Sequence, residues 1–247
     1  MIRSGNPALT ANSFTNNVPY TGAEYMTLEG AVTKTSILLV IAAMSAAGSW
    51  MITASSGGAL AFPLTIVGAL GGFVLSMVII FKKTTAPFVA PIYAAVEGLF
   101  LGAISMVFDR YYPGIVIQAI SLTFGVTAAL LMAYISRVIK PTQNFRLGVV
   151  AATGGIALFY IVSLVLSLLG VMPHIHASSS PLSIGFSFFV VVIAALNLVL
   201  DFDFIENAAA AQTPKYMEWY AAFGLMVTLV WLYIEILHLL AKLRGRD

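Results

Sequence analysis

Seven long apolar stretches, separated by short polar connections, follow one another along the chain after residue 31. Each is close to the roughly 20 residues that a helix needs to cross the hydrocarbon core of a membrane. Most connections are short, which makes neighbouring helices antiparallel. The pattern therefore predicts seven membrane-spanning helices, at Thr35–Ser56, Ala59–Phe81, Thr84–Phe108, Pro113–Ser136, Leu147–Met172, Leu182–Leu200 and Trp219–Ala241.

The composition supports this interpretation. Only 9% of the 247 residues are charged and 60% are hydrophobic, whereas a soluble domain has about 25% charged and 45–50% apolar residues. The mean hydropathy is +0.97. This composition excludes a soluble fold and predicts an all-α integral membrane protein, with the lipid bilayer as its surroundings. The basic residues form no cluster large enough to bind nucleic acid.

Residues 1–31 are polar and rich in Asn and Thr, and they lack the order of charged and then apolar regions that marks a signal peptide. We predict a polar N-terminal tail at 1–31 and a single membrane domain at 32–247. Two interpretations of the tail remain open. It is either disordered, or its last part, Glu24–Thr33, lies on the membrane surface before the first helix.

Lysine and arginine residues in the connections predict the orientation, because they concentrate on the cytoplasmic side of a membrane protein. The side that holds the N-terminus has eight, whereas the other side has only Arg110 before the C-terminal tail. The N-terminus is therefore predicted to be cytoplasmic. The tail KLRGRD opposes this assignment, since seven helices would place its three cations outside. The eight residues are Arg3, Lys34, Lys82, Lys83, Arg137, Lys140, Arg146 and Lys215.

Three of the ten acidic residues lie in or directly beside the apolar stretches. Glu97 lies in the middle of the third, Asp201 follows the sixth, and Glu235 lies within the seventh. A charged side chain at membrane depth costs roughly 2.5–3.5 kcal/mol on insertion scales, so such residues usually face a bundle interior and mark ion or proton paths. These three carboxyl groups are the main candidates for function.

The polar residues at the end of the sixth helix divide between two faces. Asn197 and Asp201 are four residues apart and share one face, whereas Asp203 points elsewhere. Asn197 and Asp203 are secondary candidates for lining a pore. Two interpretations of Asp201 remain open: it faces the bundle interior, or it ends the helix and is solvated at the membrane surface.

Glu235 has His238 three residues later on the same helix face, and His238 is a further secondary candidate for lining a pore, as is Glu97. Two carboxyl groups that lie close together titrate as a unit, so Asp201 and Glu235 are predicted to form a proton-sensitive latch. Sharing a proton, they would hold two helices together. When both are ionised, they would repel each other or hold a cation between them.

Each of these residues also has a structural interpretation that stays open. Glu235 then is a neutral acid hydrogen-bonded to a neighbouring helix, and His238 is a packing residue rather than a pore-lining one. Glu97 either lines the same cavity as the latch or is an isolated structural acid.

Residue patterns for catalysis are missing. The chain has no cysteine, which excludes disulfides, thiolate metal sites and cysteine nucleophiles. No Ser/His/Asp set, metal-hydrolase spacing or Gly-rich phosphate loop occurs in a suitable context. His174 and His176 alternate in one connection, and two histidines do not make a metal site. We therefore expect neither an enzyme nor a resident cofactor.

Four segments carry a resemblance to a known family. LVLDFDFIE is similar to a sixth-helix stretch of that family and puts Asp201 at its Asp position. LYIEILHLL is similar to a seventh-helix pattern, with Glu235 at a second Asp position, and YAAVEGLFLGAIS is similar to a third-helix stretch that includes Glu97. RSGNPAL resembles the N-terminal start of bacterial members. Together the segments resemble the Bax inhibitor-1 family, the transmembrane Bax inhibitor motif proteins, in its bacterial branch.

This resemblance implies a seven-helix bundle with the last helix near the centre. It implies a pH-sensitive calcium leak in which Asp201 and Glu235 are the pH sensor and gate and bind calcium transiently. It also implies a bacterial inner membrane and association with a membrane-bound quality-control protease. The alternative is a non-conducting scaffold that regulates such a protease or another integral protein. The oligomeric state stays open.

The chain departs from the family pattern around the two acids. The second carboxylate is a Glu, and Phe202 and Asp203 follow Asp201 where Thr-Gln is usual. The second apolar stretch contains no arginine as a charge partner for the acids. A longer stretch, Phe204–Glu218, separates the acids by 34 residues, so their relative depth depends on where the chain turns.

Overall fold

The structure is a computed structural model that describes residues 24–170 and 180–245. Seven of its helices are long and apolar enough to cross a membrane, which confirms the predicted all-α seven-helix membrane fold. The loop with His174 and His176 and the RSGNPAL segment lie outside the described residues. The helices are α1 Leu28–Ser55, α2 Ala61–Phe81, α3 Ala86–Tyr111, α4 Ile115–Ile135, α5 Gln143–Leu168, α6 Pro181–Ala210 and α7 Met217–Arg244, and a 3₁₀ turn at Lys83–Thr85 precedes α3.

The first helix begins seven residues before the predicted Thr35, at Leu28. Thr27 is its N-cap, and the Thr27 side chain accepts a hydrogen bond from the Gly30 amide at 2.9 Å. Such a cap satisfies a backbone donor that the first turn leaves without a partner, and Glu29 adds a favourable charge at the helix start. The first turns are polar, so hydropathy alone does not reveal them.

The sixth helix continues ten residues beyond the predicted end at Leu200, to Ala210. The added part contains the run of alanines at 208–210, and alanine is the best helix former. Asp201 therefore lies inside a helix and is fully buried. The interpretation that Asp201 ends the helix in contact with solvent is wrong.

The described chain forms two compact units. The first, here called the α1–α3 unit, contains these three helices and Phe204–Val227, and the second, the α4–α5 unit, contains α4, α5, α6 up to Asp203 and α7 from Thr228. The predicted single domain at 32–247 stays a prediction, because α6 and α7 contribute to both units. Half of the most apolar part of α6 and of α7 is buried, against 11–39% for the other helices.

Two serines on α1 hold it to α3. Ser45 Oγ donates to the Ala95 carbonyl at 2.5 Å, and Ser49 Oγ donates to the Leu99 carbonyl at 2.7 Å. Hydrogen bonds and close van der Waals contact drive helix association in lipid, where the hydrophobic effect between helices is absent. The two serines are four residues apart, so both bonds form on one face of α1.

The same interface needs glycine on α3. A Cβ atom on Gly98 would lie 2.5 Å from the Ala42 carbonyl oxygen, and one on Gly102 would overlap the Ala46 carbonyl. These atoms belong to the backbone and cannot turn away. The glycines therefore allow the short distance between the α1 and α3 backbones, as small residues do in other membrane helices.

We expect Gly102→Ala to lower the free energy of unfolding by about 1–3 kcal/mol, the usual cost of overpacking. Gly125→Ala is the matched control, because nothing lies within 4 Å of a Cβ atom built at this position in α4. Unfolding in mixed detergent micelles measures both. Equal stability of the two variants would contradict the close α1–α3 contact.

Two cations of the C-terminal tail belong to α7 and bind inside the α4–α5 unit. Lys242 Nζ donates to Ser187 Oγ at 2.7 Å and the residue is buried, while Arg244 donates to Gln118 Oε1 at 2.9 Å. The rule on cytoplasmic lysine and arginine counts charges in connections between helices. These two charges lie in a helix and have polar partners. They are therefore weaker evidence against a cytoplasmic N-terminus than charges in a free tail would be.

Single cysteines test this orientation, because the chain has none of its own. Tyr111 is the exposed last residue of α3, and Lys140 is exposed in the connection after α4, so the two positions flank opposite ends of α4. In intact cells, a membrane-impermeant maleimide should label Tyr111→Cys and leave Lys140→Cys unlabelled until the cells are opened. The reverse labelling would place the N-terminus outside.

Candidate functional site

Glu235 is buried on α7 and accepts two hydrogen bonds at one oxygen. Tyr160 on α5 donates its hydroxyl to Oε1 at 2.8 Å, and Trp231, one turn earlier on α7, donates its indole N–H to the same atom at 3.2 Å. The charge of Lys242, two turns later, also attracts this carboxylate. The carboxyl group thus faces two hydrogen-bond donors and a cation, which offset part of the cost of burying a charge.

Asp201 and Asn197 lie one turn apart on α6, as predicted, and both are buried. Asn197 Nδ2 donates to Thr153 Oγ1 on α5 and to the Ile193 carbonyl, each at 2.8 Å. Within the part of the chain that the structure describes, the buried Asn197 Oδ1 accepts no hydrogen bond. Asn197 therefore offers an oxygen on the face of α6 that carries Asp201.

Helix α5 shows where Asp201 lies along the unit. Arg146 near the start of α5 binds Asp203 at 2.7 Å, and Thr153, two turns later, binds Asn197 at 2.8 Å. Because α5 and α6 run antiparallel, Asp201 lies between these two levels. Asp203 itself is engaged by Arg146 in an ion pair. This gives Asp203 a structural role, whereas its predicted role as a pore-lining residue stays a prediction.

Glu235 lies further along α5 than Asp201. Its partner Tyr160 is seven residues beyond Thr153 and so about 10 Å further along the helix axis. Two carboxyl groups that share a proton need oxygens about 2.5–3.0 Å apart. The contacts therefore place Asp201 and Glu235 at different levels of α5, and the latch between them stays a prediction.

The ends of the helices explain this offset. α6 continues nine residues beyond Asp201 to Ala210, whereas α7 begins at Met217, eighteen residues before Glu235. The difference of nine residues corresponds to about 13 Å at the rise of an α-helix. The longer connection, which was noted as a departure from the family pattern, is thus a helical extension that shifts one acid relative to the other.

Glu97 belongs to the α1–α3 unit, and its carboxyl group packs against α2. Tyr93, one turn earlier on α3, donates a hydrogen bond to it. A Cβ atom on Gly72 would lie 2.6 Å from Glu97 Oε2, so the glycine leaves room for the carboxyl group. Tyr93 is itself fixed by an edge-to-face contact with Phe223, with ring centroids 4.9 Å apart.

The remaining candidates have less defined surroundings. His238 is half-buried and lies one turn beyond Glu235 on α7. Within residues 24–170 and 180–245, no group of three or more His, Asp or Glu side chains is placed to hold a metal ion. Transient calcium binding by Asp201 and Glu235 stays a prediction.

Sequence reasoning missed the buried acid Glu218. It is fully buried, and both the amide and the hydroxyl of Thr27 donate to its Oε1 at 3.0 Å. Lys34 and Lys215 form ion pairs with it at 3.3 Å and 3.4 Å. Its position in the first turn of α7 made Glu218 resemble an ordinary surface acid, and only the lysines at 34 and 215 hinted at charged partners.

Tyr160 and Arg146 were also missed as partners of the predicted acids. Tyr160 was part of an apolar stretch, where its hydroxyl was the only signal, and Arg146 was counted as a charge in a connection. Both lie on α5 and donate to acids on α7 and α6. Helix α5 therefore supplies donors at two levels of the same unit.

Comparisons with known proteins give one match. No curated protein and no solved structure matches the chain at a significant level. A model of the Bax inhibitor 1 like family matches residues 6–245, almost the whole of the 247 residues. The protein is therefore an integral membrane protein of the Bax inhibitor 1 like family.

Proposed function

We propose that this protein is a pH-sensitive cation leak, with calcium as the favoured ion. In this proposal, Asp201 and Glu235 are two separate cation-binding positions rather than one latch. We call each of these positions a station. Membership of the Bax inhibitor 1 like family supports a role in cation permeation. The separation of the two acids along α5 is the observation that distinguishes two stations from a pair.

Two buried carboxyl groups at different positions along α5, both in the α4–α5 unit, are an arrangement that favours the conduction of cations. An ion must bind strongly enough to enter a path and weakly enough to leave it, which several weak sites in sequence provide. Asp201 lies between the levels of Arg146 and Thr153, and Glu235 lies at the level of Tyr160. Asn197 Oδ1 adds a neutral oxygen beside the first station.

The pH sensitivity follows from competition between protons and cations. An ionised carboxylate attracts a cation, whereas a protonated one does not. We therefore expect calcium flux to be higher at about pH 8 than at about pH 6, since protonation only removes negative charge from the stations.

Calcium uptake into proteoliposomes tests the proposal. The flux of the double variant Asp201→Asn, Glu235→Gln should fall close to that of empty vesicles and should no longer depend on pH. Glu29→Gln is the matched control, since Glu29 is an exposed acid at the start of α1. If the correctly folded parent conducts no cation at either pH, the proposal is wrong.

One observation favours a second function, that of a non-conducting scaffold for a membrane-bound protease. Glu235 Oε1 already accepts hydrogen bonds from Tyr160 and Trp231, as expected of an acid that only stabilises helix packing. A scaffold would show no flux but would copurify with the protease, and Glu235→Gln would leave that association intact. A bacterial inner membrane, a cytoplasmic N-terminus, and the absence of enzymatic activity and of a resident cofactor belong to both proposals.

A further inference from the structure

The described end of the N-terminal segment is held by the connection between α6 and α7. The Met26 amide donates to the Thr213 carbonyl at 2.8 Å, and the Lys215 amide donates to the Glu24 carbonyl at 3.1 Å. These bonds make Tyr25 and Pro214 partners in an isolated antiparallel bridge. Residues 24–27, assigned from the sequence to a polar tail, thus form a specific contact with residues 213–215.

Glu218 is the centre of this contact. Its carboxylate, which has no exposure to solvent, accepts both donors of Thr27 and pairs with Lys34 and Lys215. Lys215 reaches Glu24 as well, at 3.6 Å. We call the set of residues 24–27, Lys34, 213–215 and Glu218 the N-terminal clasp.

The backbone at the start of α1 is shaped to admit this carboxylate. A Cβ atom on Gly30 would overlap the Glu218 carboxyl group, so the glycine leaves room for this carboxylate beside α1. Lys34 Nζ also lies 5.9 Å from the ring centroid of Trp219, the residue after Glu218. The first turn of α7 is therefore held by α1 through charge, hydrogen bonds and ring contact together.

Helix α7 connects the clasp to one of the proposed stations. It is continuous from Met217 to Arg244 and contains no proline. Glu218 and Glu235 both belong to this helix, seventeen residues apart in the sequence. Rigid helices with two discrete arrangements are able to carry coupling over such distances.

We propose that the N-terminal clasp sets the position of α7, and that its opening is the conformational step that controls cation flux at Glu235. Glu218 is in this view a positioning residue that touches no permeating ion. The proposal rests on the cation leak proposed above. It predicts that a closed clasp restrains flux and that an open clasp raises it.

A reversible disulfide across the clasp tests this role. The Cα atoms of antiparallel bridge partners lie about 4.5–5.5 Å apart, within the range that a disulfide spans. In the variant Tyr25→Cys, Pro214→Cys, oxidation should lower calcium flux into proteoliposomes by roughly fivefold or more, within the usual range of coupling between linked sites. Reduction should restore it, and each single-cysteine variant should not respond. Unchanged flux with a complete cross-link on a denaturing gel would overturn the proposal.

Hydrogen exchange supplies a readout that does not depend on conduction. Glu218→Gln should speed amide exchange at 217–224 and also at 230–236, whereas Glu29→Gln should change neither. If Glu218→Gln does not fold, Lys34→Met is used in its place, because it removes one of the two cations that pair with Glu218. Faster exchange confined to 217–224 would overturn the coupling to Glu235. If the parent protein conducts no cation, the proposed cation leak is wrong. Hydrogen exchange at 230–236 would still show whether the clasp is coupled to the helix around Glu235.

Discussion

Replacing Glu218 by alanine is expected to lower the free energy of unfolding by about 2–4 kcal/mol, because it leaves several donors of the clasp without their acceptor. Breaking a buried ion pair by removal of one partner costs about 3–5 kcal/mol. The lower range applies here, because the side chains of Lys34 and Lys215 are 23% and 42% exposed and regain water. Unfolding in mixed detergent micelles measures the loss.

Glu29→Ala is the control for this prediction. Glu29 is an exposed acid in the first turn of α1, so its loss should change stability by no more than about 0.5 kcal/mol, as at most surface positions. A double-mutant cycle of Glu218 with Lys34 should give a coupling of about 0.5 kcal/mol or more. A coupling of zero would mean that the ion pair at 3.3 Å contributes nothing.

Removing the hydroxyl of Tyr160 should lower calcium flux near neutral pH about tenfold or more. Tyr160→Phe deletes the donor at 2.8 Å from Glu235 Oε1 and keeps the ring. A hydrogen bond to a charged group contributes about 1.5–3 kcal/mol, and each 1.4 kcal/mol is a factor of ten in an equilibrium. The ionised station loses this stabilisation, so fewer copies of the protein carry a charged Glu235.

Two further variants make the Tyr160 prediction specific. In a Glu235→Gln background, Tyr160→Phe should have little additional effect on flux, because the charged acceptor is already gone. Tyr111→Phe, at the exposed last residue of α3, should behave like the parent. An equal loss of flux from Tyr160→Phe with Glu235 present or absent would show that the tyrosine acts through packing.

The seven helices were predictable because hydropathy is a local property. Each apolar stretch is long enough to cross a membrane by itself, whatever its neighbours are. The errors lie at the ends, where α1 begins at Leu28 and α6 continues to Ala210. A capping threonine begins α1 and a run of alanine ends α6, and the charged residues in these segments kept both of them out of the predicted spans.

The pairing of the acids was less predictable. Glu235 was predicted within a span and Asp201 either in the bundle interior or at the membrane surface, and both are buried. Their relative level depends on the unequal lengths of helix on the two sides of the connection at 211–216. No periodicity in the sequence shows where such a connection turns, so the latch was a reasonable prediction that the helix lengths do not support.

The amino-acid sequence by itself determined that this protein lies in a membrane with seven helices, and that Glu97 and Glu235 lie within the apolar stretches while Asp201 directly follows one. These properties depend only on the residues within each stretch. Only the tertiary structure decided which donor meets each acid. Glu235 meets Tyr160 from another helix, and Glu218 meets Thr27, 191 residues away in the chain. Hydrogen bonds require a particular height and direction, which arise only when the helices are packed together.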